Sequence, residues 1–186
     1  KPGIGVGGHC IPVDPHYLIQ KAISAGAPVD LITSARSVNA NMPKQVAFRI
    51  LNHPTILNKR NQDIKILLLG WSYKPGIADS RESPSKHLAE EFSSQGCNVT
   101  TWDPYVLENQ RSNEFTNWVD EPSEAMADII VLCTAHPEIL ALDWKELLSH
   151  SKKGLFFDGR RVINSSEITE IGWIYAGIGF PTKESD

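Results

Sequence analysis

The chain has 186 residues, enough for one ordinary domain or two small ones at about 100–200 residues per domain. Hydrophobic residues make up 41% and charged residues 22%, the balance of a packed globular protein and not of a disordered one. A net charge of −4 gives no basic footprint for nucleic acid, and no apolar run is long enough to span a bilayer. No membrane or nucleic-acid partner is therefore expected. The start Lys1-Pro2-Gly3 leads straight into glycines and lacks the apolar stretch of a signal peptide.

The first fifteen residues concentrate the chemistry. Gly3, Gly5, Gly7 and Gly8 precede His9 and Cys10, and Asp14 follows four residues after the thiol. Glycines allow close backbone approach and expose N–H groups to anions, and an ionised thiol is a nucleophile. A covalent site for an anionic substrate is one reading; a glycine-rich turn into a helix is the other. No further ligands with suitable spacing make a metal site of Cys10 and His9, and sequence neighbours seldom form a Cys–His protease pair. Cys97 and Cys133 read as small core hydrophobes, and three cysteines without disulfide spacing fit a reducing, cytoplasmic compartment.

Asp14-Pro15 predicts a helix start, with aspartate as N-cap and proline in the first turn, running through His16 to Ala25. A longer helix is predicted over Asp30 to Leu51, with Leu31, Ile32, Ala35, Val38, Met42, Val46, Ile50 and Leu51 on or near one face, and Pro43 kinking or interrupting it. Such a stripe must be buried against another domain or subunit. After a polar boundary near residue 60 the rhythm becomes strand–helix alternation. Strands are predicted at Ile64–Leu69, Asn98–Trp102, Asp128–Cys133, Leu155–Asp158 and Trp173–Ala176. Helices are predicted from Ser83-Pro84 to Gln95, near Ser123–Ala127 and at Trp144–Leu148. The expected fold is α/β: a doubly wound parallel sheet, Rossmann-like, over 61–186, preceded by a helical segment over 1–60.

Ligands of open α/β sheets bind beyond the carboxyl ends of the strands. Tyr73, Lys74 and Arg81 follow the first strand, Asp103 the second, and Arg160 the Leu155–Asp158 strand. Lys74, Arg81 and Arg160 each read alone more readily as a solvated charge, but their shared place at strand ends makes a cationic cleft for a diphosphate an equal candidate. No G-x-G-x-x-G follows the first strand, so Asp103 reads better as a strand-end cap than as a ribose ligand.

Three segments together resemble the UDP-glucose/GDP-mannose dehydrogenase family. GVGGHCIPVDP is similar to its catalytic-cysteine motif, LLLGWSYKPGIADSRESP to the segment opening its nucleotide-sugar domain, and FFDGRRVI to its D-G-R segment. Members begin with an NAD-binding Rossmann domain, and nothing in these 186 residues corresponds to it. The resemblance implies a central and a C-terminal domain that cannot turn over alone. The implied reaction is NAD-dependent oxidation of a sugar C6 alcohol to a carboxylate, using two NAD. Cys10 is implied as the nucleophile that captures the aldehyde, and Asp14 as the residue positioning water or relaying a proton. Gly5, Gly7 and Gly8 are implied to let backbone approach the sugar. Tyr73, Lys74 and Arg160 are implied substrate contacts, Arg81 a residue reaching NAD, and the 30–51 helix a homodimer interface. Many members have lysine before the motif aspartate, where this chain has Val13. That form resembles members acting on UDP-N-acetylhexosamines, with UDP-glucose as the alternative substrate. A non-catalytic nucleotide-sugar-binding module and a subunit-assembly scaffold are the competing readings.

Overall fold

A computed structural model of the chain describes residues 3–112, 114–149 and 154–180. Helices α1 (Asp14–Ser24) and α2 (Asp30–Leu51) come first. There follow β1 (Lys65–Leu69), α3 (Pro84–Ser94), β2 (Asn98–Trp102), β3 (Asn117–Trp118) and β4 (Ile129–Leu132). The chain continues through α4 (Pro137–Leu140), α5 (Trp144–Ser149), β5 (Leu155–Asp158), α6 (Ser165–Glu170) and β6 (Ile174–Gly177). All pairings are parallel, in the order β3-β2-β1-β4-β5-β6. This is the strand order of dinucleotide-binding sheets, whose direction of winding reverses between β1 and β4.

Strand sequences explain the burial. β4 is an apolar run and β5 one that ends in Asp158, both buried along their whole length, as strands covered on both faces must be. Alternate residues divide between two cores. Ile66, Leu68, Ile129, Val131, Leu155 and Phe157 face α2 and α3, meeting Val46, Ile50, Leu88 and Phe92. Leu67, Leu69, Ile130, Leu132 and Phe156 face the other layer, meeting Ile139, Trp144, Leu147 and Ile168. A side-chain period of two makes this partition automatic once the strands are paired.

Several local expectations are corrected. Helix α1 begins at Asp14 itself, with Val13 at the cap position and no side-chain capping bond. Asp14 therefore does not N-cap. Pro43 lies inside α2 without interrupting it. Its missing N–H frees the carbonyl of Asn39 four residues earlier, and the glycine loop passes that carbonyl at Gly5. The apolar stripe of α2 is not continuous: Val46, Ala47 and Ile50 enter the core, while Leu31, Val38 and Phe48 face solvent. The segment at Pro122–Ala125 is a 3-10 turn in place of an α-helix. Ser83 does cap α3, accepting from the Ser85 N–H, with Pro84 in the first turn.

Candidate functional site

The glycine loop lies across the carboxyl ends of the central strands. Ile4 is buried against Gly159, whose own N–H donates to the Leu132 carbonyl at 3.1 Å, so the loop passes the ends of β5 and β4. A Cβ on Gly3 would stand 2.7 Å from a terminal nitrogen of Arg160. The Asn39 side chain then brackets Val6 as a neighbouring strand would: the Val6 N–H donates to Oδ1 at 2.9 Å, and Nδ2 donates to the Val6 carbonyl at 3.2 Å.

Beyond Val6 the loop meets the turn carrying Tyr73, Arg81 and Glu82. A Cβ on Gly7 would be 2.5 Å from the Glu82 carbonyl oxygen and 2.8 Å from both Tyr73 Cβ and Pro84 Cδ. Gly8, at φ +94°, donates its N–H to the Arg81 carbonyl at 3.1 Å and packs on the Tyr73 ring. Only glycine meets both demands, close approach and positive φ. The observed neighbours of Gly5, Gly7 and Gly8 are thus the protein's own Pro84, Glu82 and Tyr73. The thiol loop and the turn after β1 form one packed unit.

Cys10 emerges from this unit exposed. Its carbonyl accepts the N–H groups of Val13 and Asp14 at 3.1 and 2.8 Å, a turn that sets Asp14 at the head of α1 with an exposed, uncapping carboxylate. Arg81 lies within electrostatic range of Cys10 and Tyr73, and His9 within range of Asp79. The Arg81 guanidinium clasps Asp79 through Nη2 at 2.6 Å and Nε at 3.0 and 3.1 Å. That hydrogen bonding holds the Asp79 carboxyl down at about 2 and raises Arg81. The other two cysteines differ: both are buried, and burial pushes Cys97 up to about 11 and Cys133 up to about 12.

The expected cationic cleft is spread along the loop. Lys74 is exposed on the Tyr73 turn, Arg81 is paired with Asp79, and Arg160 is half-buried at the Gly3 end. Burial lowers the Arg160 pKa, with the Cys133 thiol opposing it, and a guanidinium stays charged nonetheless. The two strand-end aspartates hold loops. Asp158 accepts from the N–H groups of Arg160, Arg161, Val162 and Ile163 and from the Tyr175 hydroxyl. Asp103 accepts from Trp71, Ser72, Tyr105 and Val106 backbone, the Ser72 hydroxyl and His136 Nε2. The strand-end-cap reading of Asp103 holds, and its oxygens are fully engaged.

Asn39, Asp79 and His136 escaped the sequence reading. Asn39 sits in a helix whose pattern drew attention to apolar positions, and His136 follows β4 in a Thr-Ala-His-Pro segment without a recognised motif. A cleft of about 550 Å³ runs beside the loop between α2 and α3, with Val6, Val13, His16, Arg36, Lys44 and Glu82 in its walls. A larger one, about 770 Å³, lies between α5 and α6 and contains none of the strand-end residues. Among the described residues no group of His, Cys, Asp or Glu is placed to hold a metal, and no helix is long and apolar enough to cross a membrane.

A family model described as the UDP-binding domain of the UDP-glucose/GDP-mannose dehydrogenase family matches residues 67–165, and one for that family's central domain matches residues 1–41. The chain belongs to the UDP-glucose/GDP-mannose dehydrogenase family. A UDP-N-acetyl-D-mannosamine dehydrogenase of Pyrococcus horikoshii is 34% identical over 178 residues, 96% of this chain and 40% of that protein. A UDP-glucose 6-dehydrogenase of Rhizobium meliloti is 32% identical over 182 residues, 96% of this chain and 41% of its own length. The solved structure of the UDP-D-ManNAc dehydrogenase from Pyrococcus horikoshii superposes with a TM-score of 0.77 at 33% identity, covering 96% of this chain and 40% of that one. The chain therefore spans about 40% of the length of the relatives it matches. In this dehydrogenase family member, the matched central-domain segment ends within α2, and the UDP-binding match starts within β1.

Proposed function

We propose that this chain forms the thiol-bearing and nucleotide-binding part of an NAD-dependent 6-dehydrogenase that converts the C6 alcohol of a UDP-N-acetylhexosamine to a carboxylate. The observation that carries the proposal is the packing of the Gly7-Gly8 backbone onto Tyr73 and Glu82. It sets the exposed Cys10 beside the turn of the UDP-binding domain that presents Lys74 and Arg81.

The residues suit the chemistry. Removing a hydride and a proton from the alcohol gives an aldehyde, and the Cys10 thiolate adds to its carbonyl carbon, forming a C–S bond. Loss of a second hydride from carbon and of the hydroxyl proton from that thiohemiacetal leaves a thioester. Water attacks the thioester carbon, breaks the C–S bond, and releases the carboxylate and the thiol. Covalent capture keeps the reactive aldehyde from escaping. The Asp14 carboxylate, free of any capping bond, is available to orient that water or take its proton. Tyr73, Lys74 and Arg160 are assigned to the nucleotide and its phosphates, and backbone of Gly5, Gly7 and Gly8 to the sugar side of the loop.

When bound, NAD supplies the hydride acceptor for both oxidations. This sheet's own switch point does not fit it: β1 leads into Gly70-Trp71-Ser72 in place of a glycine-rich pyrophosphate turn, with Trp71 and Ser72 buried. The Asp103 oxygens that would meet a ribose are engaged by six donors. Exposed Arg81 is assigned to an anionic group of NAD held by residues outside this chain's described sheet. The outward Leu31, Val38 and Phe48 of α2, with Tyr17, Leu18 and Ile23 of α1, are assigned to a homodimer contact. The protein is assigned to the cytoplasm.

The test is an assay of the complete enzyme against a panel of UDP-sugars. Two NADH per sugar are expected, with kcat/KM for a UDP-N-acetylhexosamine at least about tenfold above that for UDP-glucose, the scale of one well-placed contact. A preference for UDP-glucose would overturn the assignment of the sugar, and one NADH per sugar would overturn the two-step oxidation.

A further inference from the structure

We infer that His136 is a positioning residue for the nucleotide site, holding the Tyr73–Lys74 turn in its binding geometry through the Gly76 N–H. The inference rests on the reading of Tyr73 and Lys74 as nucleotide contacts. His136 is fully buried just beyond β4, at the switch point of the sheet, and takes no part in the proposed chemistry.

Both ring nitrogens are used. Nε2 lies 3.1 Å from Asp103 Oδ2, and Nδ1 lies 3.0 Å from the backbone nitrogen of Gly76. A carboxylate can only accept and a backbone N–H can only donate, so the ring bears its proton on Nε2 and offers the Nδ1 lone pair to Gly76. One face of the ring stacks on Tyr105 at 4.8 Å, and the Tyr105 hydroxyl donates to Glu138 at 2.8 Å. The imidazole is fixed in plane and in tautomer.

The other anchors of the turn show what His136 adds. Trp71 and Ser72 give their N–H groups to Asp103, and their carbonyls accept from Ser83 and Thr134 hydroxyls at 2.6 and 2.5 Å. The Tyr73 N–H donates to the Asp79 carbonyl at 3.0 Å. All of these lie before Lys74. Pro75 has no N–H, and the first described backbone anchor after Lys74 is the Gly76 bond to His136. Lys74 thus sits between two clamps, and the second depends on a side chain from a different strand end. A loop fixed at both ends loses less conformational entropy when it binds a ligand. A histidine that merely filled space would need neither nitrogen, so phenylalanine would replace it.

The test uses UDP binding to the complete enzyme by calorimetry, with hydrogen exchange at the Gly76 amide as a second readout. His136→Phe keeps the ring and loses both hydrogen bonds; His136→Gln keeps an acceptor and an N–H donor on one carbon. UDP is expected to bind His136→Phe about tenfold more weakly and His136→Gln within about threefold of wild type, the scale of one buried hydrogen bond. The Gly76 amide should be protected in wild type and His136→Gln and exchange freely in His136→Phe. Wild-type affinity in His136→Phe, or equal weakening in both variants, would overturn the positioning role alone. Absence of UDP binding to the wild-type complete enzyme would overturn the nucleotide reading and, with it, this inference. Should His136→Phe fail to fold, Gly76 protection in wild type and threefold-or-better binding by His136→Gln support the role; a freely exchanging wild-type Gly76 amide overturns it.

Discussion

Replacing Cys10 by alanine in the complete enzyme is expected to cut carboxylate formation by about a thousandfold or more, while UDP affinity stays within about twofold. The separation follows from geometry. The thiol is exposed and its side chain supports nothing in the core, whereas the backbone that shapes the loop is fixed by Asn39, Arg81 and the glycine contacts. The change therefore removes a nucleophile and leaves a binding surface. Cys97→Ala is the matched control, because that thiol is buried, raised to about 11 by its surroundings and remote from the loop. Single-turnover measurement of NADH release, with the acid product quantified directly, decides the matter. Acid formation within tenfold of wild type would remove Cys10 from the mechanism.

Asp103→Asn is expected to be the most damaging conservative change in the sheet, costing about 3 kcal/mol of stability by chemical denaturation. One buried oxygen, Oδ2, receives Trp71 and Ser72 N–H groups at 2.6 and 2.9 Å, the Ser72 hydroxyl and His136; the other receives Tyr105 and Val106 N–H groups at 2.8 and 3.2 Å. An amide presents only one acceptor oxygen, so its NH2 group must face donors. The pH dependence has a definite sign. Burial pushes the Asp103 carboxyl up, but the His136 and backbone hydrogen bonds outweigh it and leave the folded-state pKa lowered. Its stabilising contribution is therefore complete above the unfolded value of about 3.9 and is lost as pH falls toward the folded one. Asp103→Asn should flatten the acid limb of the stability curve, and an unchanged acid limb would show that Asp103 does not dominate it.

The parts of this molecule legible in the sequence are those set by short-range rules. Apolar runs such as Ile66–Leu69 and Leu155–Phe157 read as buried strands, and Ser83-Pro84 reads as a helix start. Strand β3, two residues on the sheet edge, carries no periodicity to read. The short α4 and α6 escaped for the same reason: four and six residues do not complete an amphipathic pattern. Asp14 misled because aspartate before proline favours a cap, yet the Cys10 turn had already satisfied the backbone and drew Asp14 into the helix. At the candidate site, Cys10 stands out by its glycine-rich surroundings and Tyr73 and Arg81 by their place beyond the first strand, and the fold brings the three segments together. Asn39 and His136 were not found, because their importance comes from contacts 33 and 60 residues away in sequence that only the folded sheet creates.

The most direct test of the central claim, that thiol loop and nucleotide turn form one site, is affinity labelling with a UDP conjugate bearing a chloroacetyl group. Peptide mass spectrometry should place the label on exposed Cys10 and leave buried Cys97 and Cys133 unmodified. Labelling should saturate, run about a hundredfold faster than with free chloroacetamide at equal concentration, and be blocked by excess UDP, as tethering raises effective concentration. Modification of Cys10 no faster than by chloroacetamide, or unaffected by UDP, would contradict the claim.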